Sequence, residues 1–220
     1  MVRAVTARFG APYIACQASY AVAGHAVLDS WAAALSVNGA APDAVLIGCF
    51  GDPGLLALRE TSSAPVTGLA EAAFIEAASH GPFAVVTGGE RWKAMLERLA
   101  RQLGYADSLK GIQTVRPTGA ELAQNPAAAR SLLATACRQA AKDFQAKAVI
   151  LGGAGLAGMA AAIQTDVGVP VIDSVLAGTR QAILGMGQNP LQALRRPDRF
   201  EVCWQGVSAE LAGLGVPAGR

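Results

Sequence analysis

The chain is predicted to be an α/β protein with parallel, doubly wound sheets. Three observations support this. Short apolar runs alternate with longer, alanine-rich runs along most of the chain, the βαβα rhythm of a parallel sheet with crossover helices. Several of the short runs are unbroken Val/Ile/Leu/Ala, as in strands covered on both faces. Helix-stop and helix-start signals sit between the runs, with His80-Gly81-Pro82 closing one segment and Asn125-Pro126 opening another.

Taken in order, strands are expected near Arg3–Ala7, Ala44–Ile47, Val66–Gly68, Phe83–Thr87, Gly111–Val115, Ala148–Leu151 and Val169–Ile172. Helices are expected near Ala18–Leu35, Gly54–Glu60, Leu69–Ala78, Glu90–Leu103, Pro126–Phe144, Leu156–Thr165 and Ser174–Leu184. Gly185–Pro190 and Arg195–Pro197 read as loops, and Arg199–Leu211 as one further strand and helix. Crossovers should be right-handed. The order strand, Gly-X, turn, helix, strand with a "PV" pair, helix occurs at Ala44–Ala78 and again at Ala148–Leu184. This points to two pseudo-symmetric lobes. One would take residues 1–78 plus 174–220 and carry Cys49; the other would take 79–173 and carry Gly153.

Composition narrows the function classes. The 220 residues are 52% hydrophobic and 15% charged, with a net charge of +2. That is a globular composition with material for a core. The eighteen Lys and Arg are scattered, which argues against a nucleic-acid partner. No apolar run reaches membrane-spanning length and no leader is recognisable, so no membrane partner is expected. Cys16, Cys49, Cys137 and Cys203 are widely spaced and there are two histidines. This argues against a metal site and for free thiols in a reducing, cytoplasmic setting.

In doubly wound sheets ligands sit at the carboxyl ends of the strands. Gly48–Gly51, Thr87–Gly89, Gly152–Gly155 and Asp173-Ser174 fall there. Their small residues let backbone N–H groups approach an anionic or carbonyl-bearing ligand, although glycines at such places also simply make tight turns. The run Gly152–Gly158 resembles a dinucleotide loop but lacks the acidic residue that should follow. Cys49 is the main chemical candidate, because a thiol between a strand end and a helix start can be exposed and have its pKa lowered. Cys16, Cys137 and Cys203 read as packed, and so do Trp31, Trp92 and Trp204. His25 and His80 read as structural. Asp52 reads as a turn or N-cap residue, and Glu71 as either facing the site or capping its helix.

IGCFGDPGL (Ile47–Leu55), PVTGLAEAA (Pro65–Ala73), FAVVTGG (Phe83–Gly89), AVILGGAGLAGMA (Ala148–Ala160) and GVPVIDSV (Gly168–Val175) together resemble, in order, the Asp/Glu/hydantoin racemase superfamily, in its hydantoin and allantoin racemase branch. The resemblance covers Ala44 to Leu184. It implies two α/β lobes with the active site between them, no cofactor, and two cysteines that flank an acidic carbon and move its proton. Inversion needs proton delivery to both faces. The first family cysteine falls on Cys49 and the second on Gly153, so one acid/base is missing. Phe50, Glu71, Thr87, Gly88, Gly152, Ala154 and Gly155 become substrate-binding candidates on the same resemblance. Backbone N–H groups around Phe50, Thr87-Gly88 and Gly153-Ala154 would stabilise an enolate-like charge.

Family members usually open with a strand and an "NPNTS"-like loop, whereas Arg3–Pro12 resembles the family's second strand. The first strand of the N-terminal lobe is therefore expected to be missing. Arg199–Val207 is a candidate to fill the slot, and an open sheet edge would favour a homo-oligomer.

The expected function is a one-cysteine, cofactor-independent racemase or isomerase acting on a small hydantoin- or amino-acid-like substrate. The alternatives are a metabolite-binding protein without turnover, a single-cysteine decarboxylase of the same superfamily, and a flavodoxin-like nucleotide binder.

Overall fold

The computed structural model describes residues 1–38, 42–116, 119–188 and 204–214. In chain order the elements are α1 (Gln17–Asn38), β1 (Val45–Ile47), α2 (Leu55–Thr61), β2 (Val66–Gly68), α3 (Leu69–Ala78), β3 (Phe83–Gly88), α4 (Trp92–Gln102), β4 (Leu109–Val115), α5 (Gly119–Gln124), α6 (Pro126–Asp143), β5 (Ala148–Gly152), α7 (Met159–Ile163), β6 (Val171–Asp173), α8 (Ser174–Gln188) and α9 (Ala209–Ala212). The chain divides into two compact units. The first holds the described parts of Met1–Ile47, Pro53–Val66 and Ala182–Arg220, and the second holds Gly48–Asp52 and Thr67–Gln181. In this division Cys49 and Gly153 fall in the same unit.

The second unit is built on a four-stranded parallel sheet in the order β4-β3-β5-β6. β3 and β5 are central and every residue in them is buried, as their unbroken apolar sequences require. Alternation along the strands sends Ala84, Val86, Val149 and Leu151 into a cluster with Leu133, Cys137 and Ala140 of α6. Phe83, at an alternate position, packs on Phe74 of α3 with ring centroids 5.6 Å apart. The sheet is thus covered on both faces. β3 and β5 run in register from Phe83↔Ala148 to Thr87↔Gly152.

The first unit contains α1, α2 and a short pairing of β1 with the start of β2, where the Val45 N–H donates to the Pro65 carbonyl at 2.8 Å. Its N-terminal segment is tied to α1 and α9 by Arg8. That guanidinium donates to both oxygens of buried Asp29 at 2.9 Å and to Glu210 at 3.3 Å.

Five expectations change. Arg3–Ala7 is not a strand but exposed, irregular chain, since β-prone residues extend stably only when a neighbouring strand packs and bonds with them. The last strand of the sheet starts at Val171 and not Val169. The Gln164 carboxamide takes up the backbone there, donating to Val169 O at 3.0 Å and accepting from Val171 N at 2.8 Å, and Pro170 has no N–H for a ladder. The helix expected at Leu156–Thr165 is only α7, with 3₁₀ turns on either side. α5 was not anticipated. It is short, opens on glycine and ends where Asn125 caps α6 by accepting from Ala128 N. Gly185–Gln188, expected to open a loop, instead continue α8. Cys203, the rest of the expected loop Gly185–Pro190, the expected loop Arg195–Pro197 and most of the expected strand at Arg199–Val207 lie outside the described residues. No helix among the described residues is long and apolar enough to cross a membrane.

Candidate active site

The candidate residues converge at the carboxyl end of the second unit's sheet. Cys49 sits in the turn that follows β1. Its carbonyl accepts from the Asp52 N–H at 3.1 Å, which closes the turn. Three packing arrangements hold this turn, all within the unit. The Phe50 ring, 4% exposed, lies against Gly152 at the end of β5, and a methyl group at Gly152 would overlap the ring. Gly51, with φ of +124°, lies against the Trp92 indole at the start of α4 and has no room for a side chain either. Asp52 adopts φ of +52° and is 1% exposed. Its Oδ1 accepts from Ala70 N at 2.9 Å and its Oδ2 from Glu71 N at 2.7 Å. Asp52 therefore caps α3, 18 and 19 residues further on, and not the helix that follows it in sequence. That helix, α2, begins on Gly54 without a side-chain cap. A carboxylate on two N–H groups at a helix start is favoured by charge-assisted hydrogen bonding and by the helix dipole.

The Cys49 side chain is partly buried. Burial is the main cause that pushes its thiol up, to about 12, and the negative charge of Asp52 adds to it. The sequence-based expectation of a lowered pKa does not hold. The nearby helix start spends its N–H groups on a carboxylate, which repels a thiolate where a free helix end would have attracted one. Cys137 is fully buried in the core and likewise pushed up to about 12. Cys16 is only partly buried, and its sulfur lies 3.5 Å from the Ser19 hydroxyl. Cys16, Cys49 and Cys137 are all free thiols.

Thr87 and Gly88 end β3 and are buried. The Thr87 hydroxyl donates to the Gly152 carbonyl at 2.9 Å, so it ties two strand ends together. Gly153 adopts φ of +145°, and its N–H donates to the Ser174 hydroxyl at 3.3 Å. Ala154 and Gly155 follow in an exposed 3₁₀ turn. Asp173 ends β6. Its Oδ2 accepts from Gly158 N at 2.6 Å, and its Oδ1 accepts from Val175 N at 2.9 Å and Leu176 N at 3.1 Å. One carboxylate thus caps α8 and anchors the Gly153–Gly158 loop. Buried Glu71 accepts from the Thr67 hydroxyl at 3.1 Å. Its charge also reaches Tyr105, whose phenol is pushed up first by burial and then by Glu71. His25 stacks edge-on against Phe9, and the backbone N–H of His80 belongs to the end of α3.

Phe50, Glu71, Thr87, Gly88 and Gly152–Gly155 therefore share one unit with Cys49. The part of the arrangement that sequence reasoning missed is the reach of Asp52 and the pairing of Ser174 with Gly153. "GDPG" signalled a turn, but nothing local identifies a cap 18 residues away. Among the described residues no group of three or more His, Cys, Asp or Glu side chains could hold a metal ion. Chemically, the arrangement offers one partly buried, proton-carrying thiol on a rigid turn beside the ends of two central strands.

A family model described as "Asp/Glu/Hydantoin racemase" matches residues 2–182. Among curated proteins, a hydantoin racemase of Pseudomonas sp. (strain NS671) is 34% identical over 72% of this chain and 66% of that protein. A hydantoin racemase of Paenarthrobacter aurescens is 37% identical over 64% of this chain and 60% of that protein. The chain thus spans less than two thirds of the length of these relatives. Among solved structures, allantoin racemase from Klebsiella pneumoniae superposes with a TM-score of 0.76 at 29% identity, covering 90% of this chain and 82% of that one. Unliganded arylmalonate decarboxylase, at 23% identity and a TM-score of 0.54 over 76% of this chain and 77% of that one, shares the fold. With its parallel sheet, its Gly-Cys turn at the strand ends and a match that runs through both, the chain belongs to the Asp/Glu/Hydantoin racemase family.

Proposed function

We propose that the protein is a cofactor-independent racemase-type enzyme that moves a proton at an acidic carbon of a small hydantoin- or amino-acid-like substrate, with Cys49 as its one thiol acid/base. The observation that carries this reading is the Cys49 turn, closed on itself and seated on Gly152, Trp92 and α3 at the carboxyl end of the sheet. Such anchoring holds a reacting group in place without further ordering at the moment of reaction. Phe50, Glu71, Thr87, Gly88, Gly152, Ala154 and Gly155 would line the substrate, and backbone N–H groups near Phe50 and Ala154 would face the developing negative charge. The Gly153 N–H is partly committed to Ser174.

With a pKa near 12, Cys49 rests as a neutral thiol, a proton donor. Removal of a substrate proton then proceeds through a small thiolate fraction or after substrate binding has shifted that balance. Each pKa unit corresponds to about 1.4 kcal/mol. Gly153 supplies no second acid/base, so exchange without inversion is the natural outcome of this arrangement.

The test is deuterium incorporation at the α-carbon of a panel of 5-substituted hydantoins and allantoin in D₂O, followed by NMR and optical rotation. Exchange is expected with little loss of optical activity. Cys49→Ala is expected to reduce it by roughly 10²–10⁴-fold, the usual contribution of a positioned acid/base. Exchange that survives Cys49→Ala would remove the thiol from the mechanism.

The resting protonation of Cys49 favours a second reading, one-sided proton delivery after loss of CO₂. There a neutral thiol protonates the carbanion left behind, and no base is needed at the start. CO₂ release from arylmalonate-like diacids, with a single product enantiomer, is its signature.

A further inference from the structure

We propose that Asp52 is a positioning residue for Cys49: its buried carboxylate locks the turn that presents the thiol onto the first turn of α3. This rests on the reading of Cys49 as the acid/base.

Asp52 holds φ of +52°, a region unfavourable for any residue with a side chain, though less so for aspartate. Glycine would occupy it more easily, so the side chain must return something that glycine cannot. It does so through two bonds. Both carboxylate oxygens accept backbone N–H groups, from Ala70 and Glu71. Its own N–H closes the turn onto the Cys49 carbonyl. A single residue thus joins the thiol-bearing turn to a helix that starts 17 residues later in the sequence.

The receiving surface is shaped for that carboxylate. Gly68, at the N-cap of α3, faces it directly, and a methyl group there would overlap the Asp52 carboxyl atoms. Gly68 has an ordinary extended backbone, φ −124° and ψ 169°, which any residue can adopt. Conformation therefore does not call for glycine there, but the space taken by Asp52 does. Position 68 is small so that position 52 can be seated.

The lock also carries a charge. A carboxylate fixed at 1% exposure is poorly screened, and it acts on the sulfur next to it, in the sense already described for Cys49. Asp52 thus fixes the location of the thiol and sets the field in which it exchanges its proton.

The test compares wild type, Asp52→Asn, Asp52→Glu and Gly68→Ala. Cys49 is alkylated at one fixed pH with neutral iodoacetamide and with anionic iodoacetate, and the Cys49 peptide is quantified by mass spectrometry. Greater access alone speeds both reagents alike. Loss of a fixed negative charge speeds iodoacetate more, so the ratio of the two rates reads the field and not the packing. Asp52→Asn is expected to raise the iodoacetate-to-iodoacetamide ratio about fivefold, the size of a short-range charge effect near a protein surface. Asp52→Glu keeps the charge and is expected to stay within about twofold of wild type. Gly68→Ala dislodges the carboxylate from the helix side and is expected to move the ratio by more than about twofold; it decides the matter if Asp52→Asn does not fold. In parallel, kcat for α-proton exchange should fall in Asp52→Asn more than KM rises.

A ratio unchanged in the folded variants, or one that Asp52→Glu moves as far as Asp52→Asn does, overturns the proposal. If wild type shows no exchange on any substrate, the functional reading fails while the alkylation ratio still decides the link between Asp52 and Cys49.

Discussion

At Gly152 a single methyl group would meet the Phe50 ring, and that ring is nearly fully buried. Gly152→Ala is therefore expected to cost about 1–3 kcal/mol, the usual range for overpacking, and to raise Cys49 alkylation by loosening the turn. A thermal melt with alkylation of the same sample checks both effects. Gly153 poses the opposite case. A Cβ there would find only the Leu156 side chain, at 3.5 Å, so there is space, but φ of +145° is a conformation that side chains rarely adopt. Gly153→Cys should destabilise by roughly 1–3 kcal/mol, measured by urea denaturation. It should not by itself yield a two-thiol racemase, because the new side chain would first have to move its backbone. This could be read only partly from sequence. The glycine where the resemblance puts a cysteine was visible; that its backbone takes a conformation side chains rarely adopt was not, since dihedrals follow from the hydrogen bonds of a whole loop.

Two aspartate caps, one distant in sequence from its helix and one directly before it, tie the candidate site together. α3 receives Asp52 from 18 and 19 residues upstream, while α8 is capped by Asp173 directly before it. Asp173 also holds the Gly158 N–H, so Asp173→Ala leaves three backbone donors without their acceptor. A loss of about 2–4 kcal/mol is expected, more than for an ordinary cap, together with faster proteolysis in the Gly153–Gly158 loop. An unchanged urea midpoint would show that water replaces the carboxylate at little cost. Most elements were legible because their periodicity is local. α3 has the predicted boundaries, and β3 and β5 each run one residue longer. The start of β6 was not legible, because it is set by the Gln164 side chain and not by its own sequence. Arg3–Ala7 failed for a related reason. Its strand-like residues were read as sufficient, when what makes a strand is a partner.

At the scale of the whole chain, two pH responses are expected. Asp29 lies below its ordinary carboxyl value of 3.8, first because of the Arg8 hydrogen bonds and then that of Ser208. Stabilisation from this lowered value is fully present above pH 3.8 and is lost as pH falls through the folded value. Asp29→Asn should therefore lower stability at neutrality, and its difference from wild type should shrink as pH falls below about 4, which denaturation followed by circular dichroism at a series of pH values measures. The second response belongs to Cys49. With a thiol pushed up to about 12, its alkylation rate should rise about tenfold per pH unit, with no levelling off up to pH 10. A plateau near neutrality would mean that the thiol is far more acidic than its burial and Asp52 allow.

The amino-acid sequence by itself determined the α/β class, the parallel strands and the place of Cys49 at a strand end, because apolar periodicity and turn chemistry act over a few neighbouring residues. Family membership was legible for the same reason, in short motifs kept in order. Tertiary structure alone decided the environment of the thiol. The cap on α3, the hold of Asp173 on the Gly158 N–H, the seat of Phe50 on Gly152 and the burial of Cys49 come from residues distant in sequence, brought together only when the sheet buries its two faces. Their energies depend on distance and burial, which folding creates.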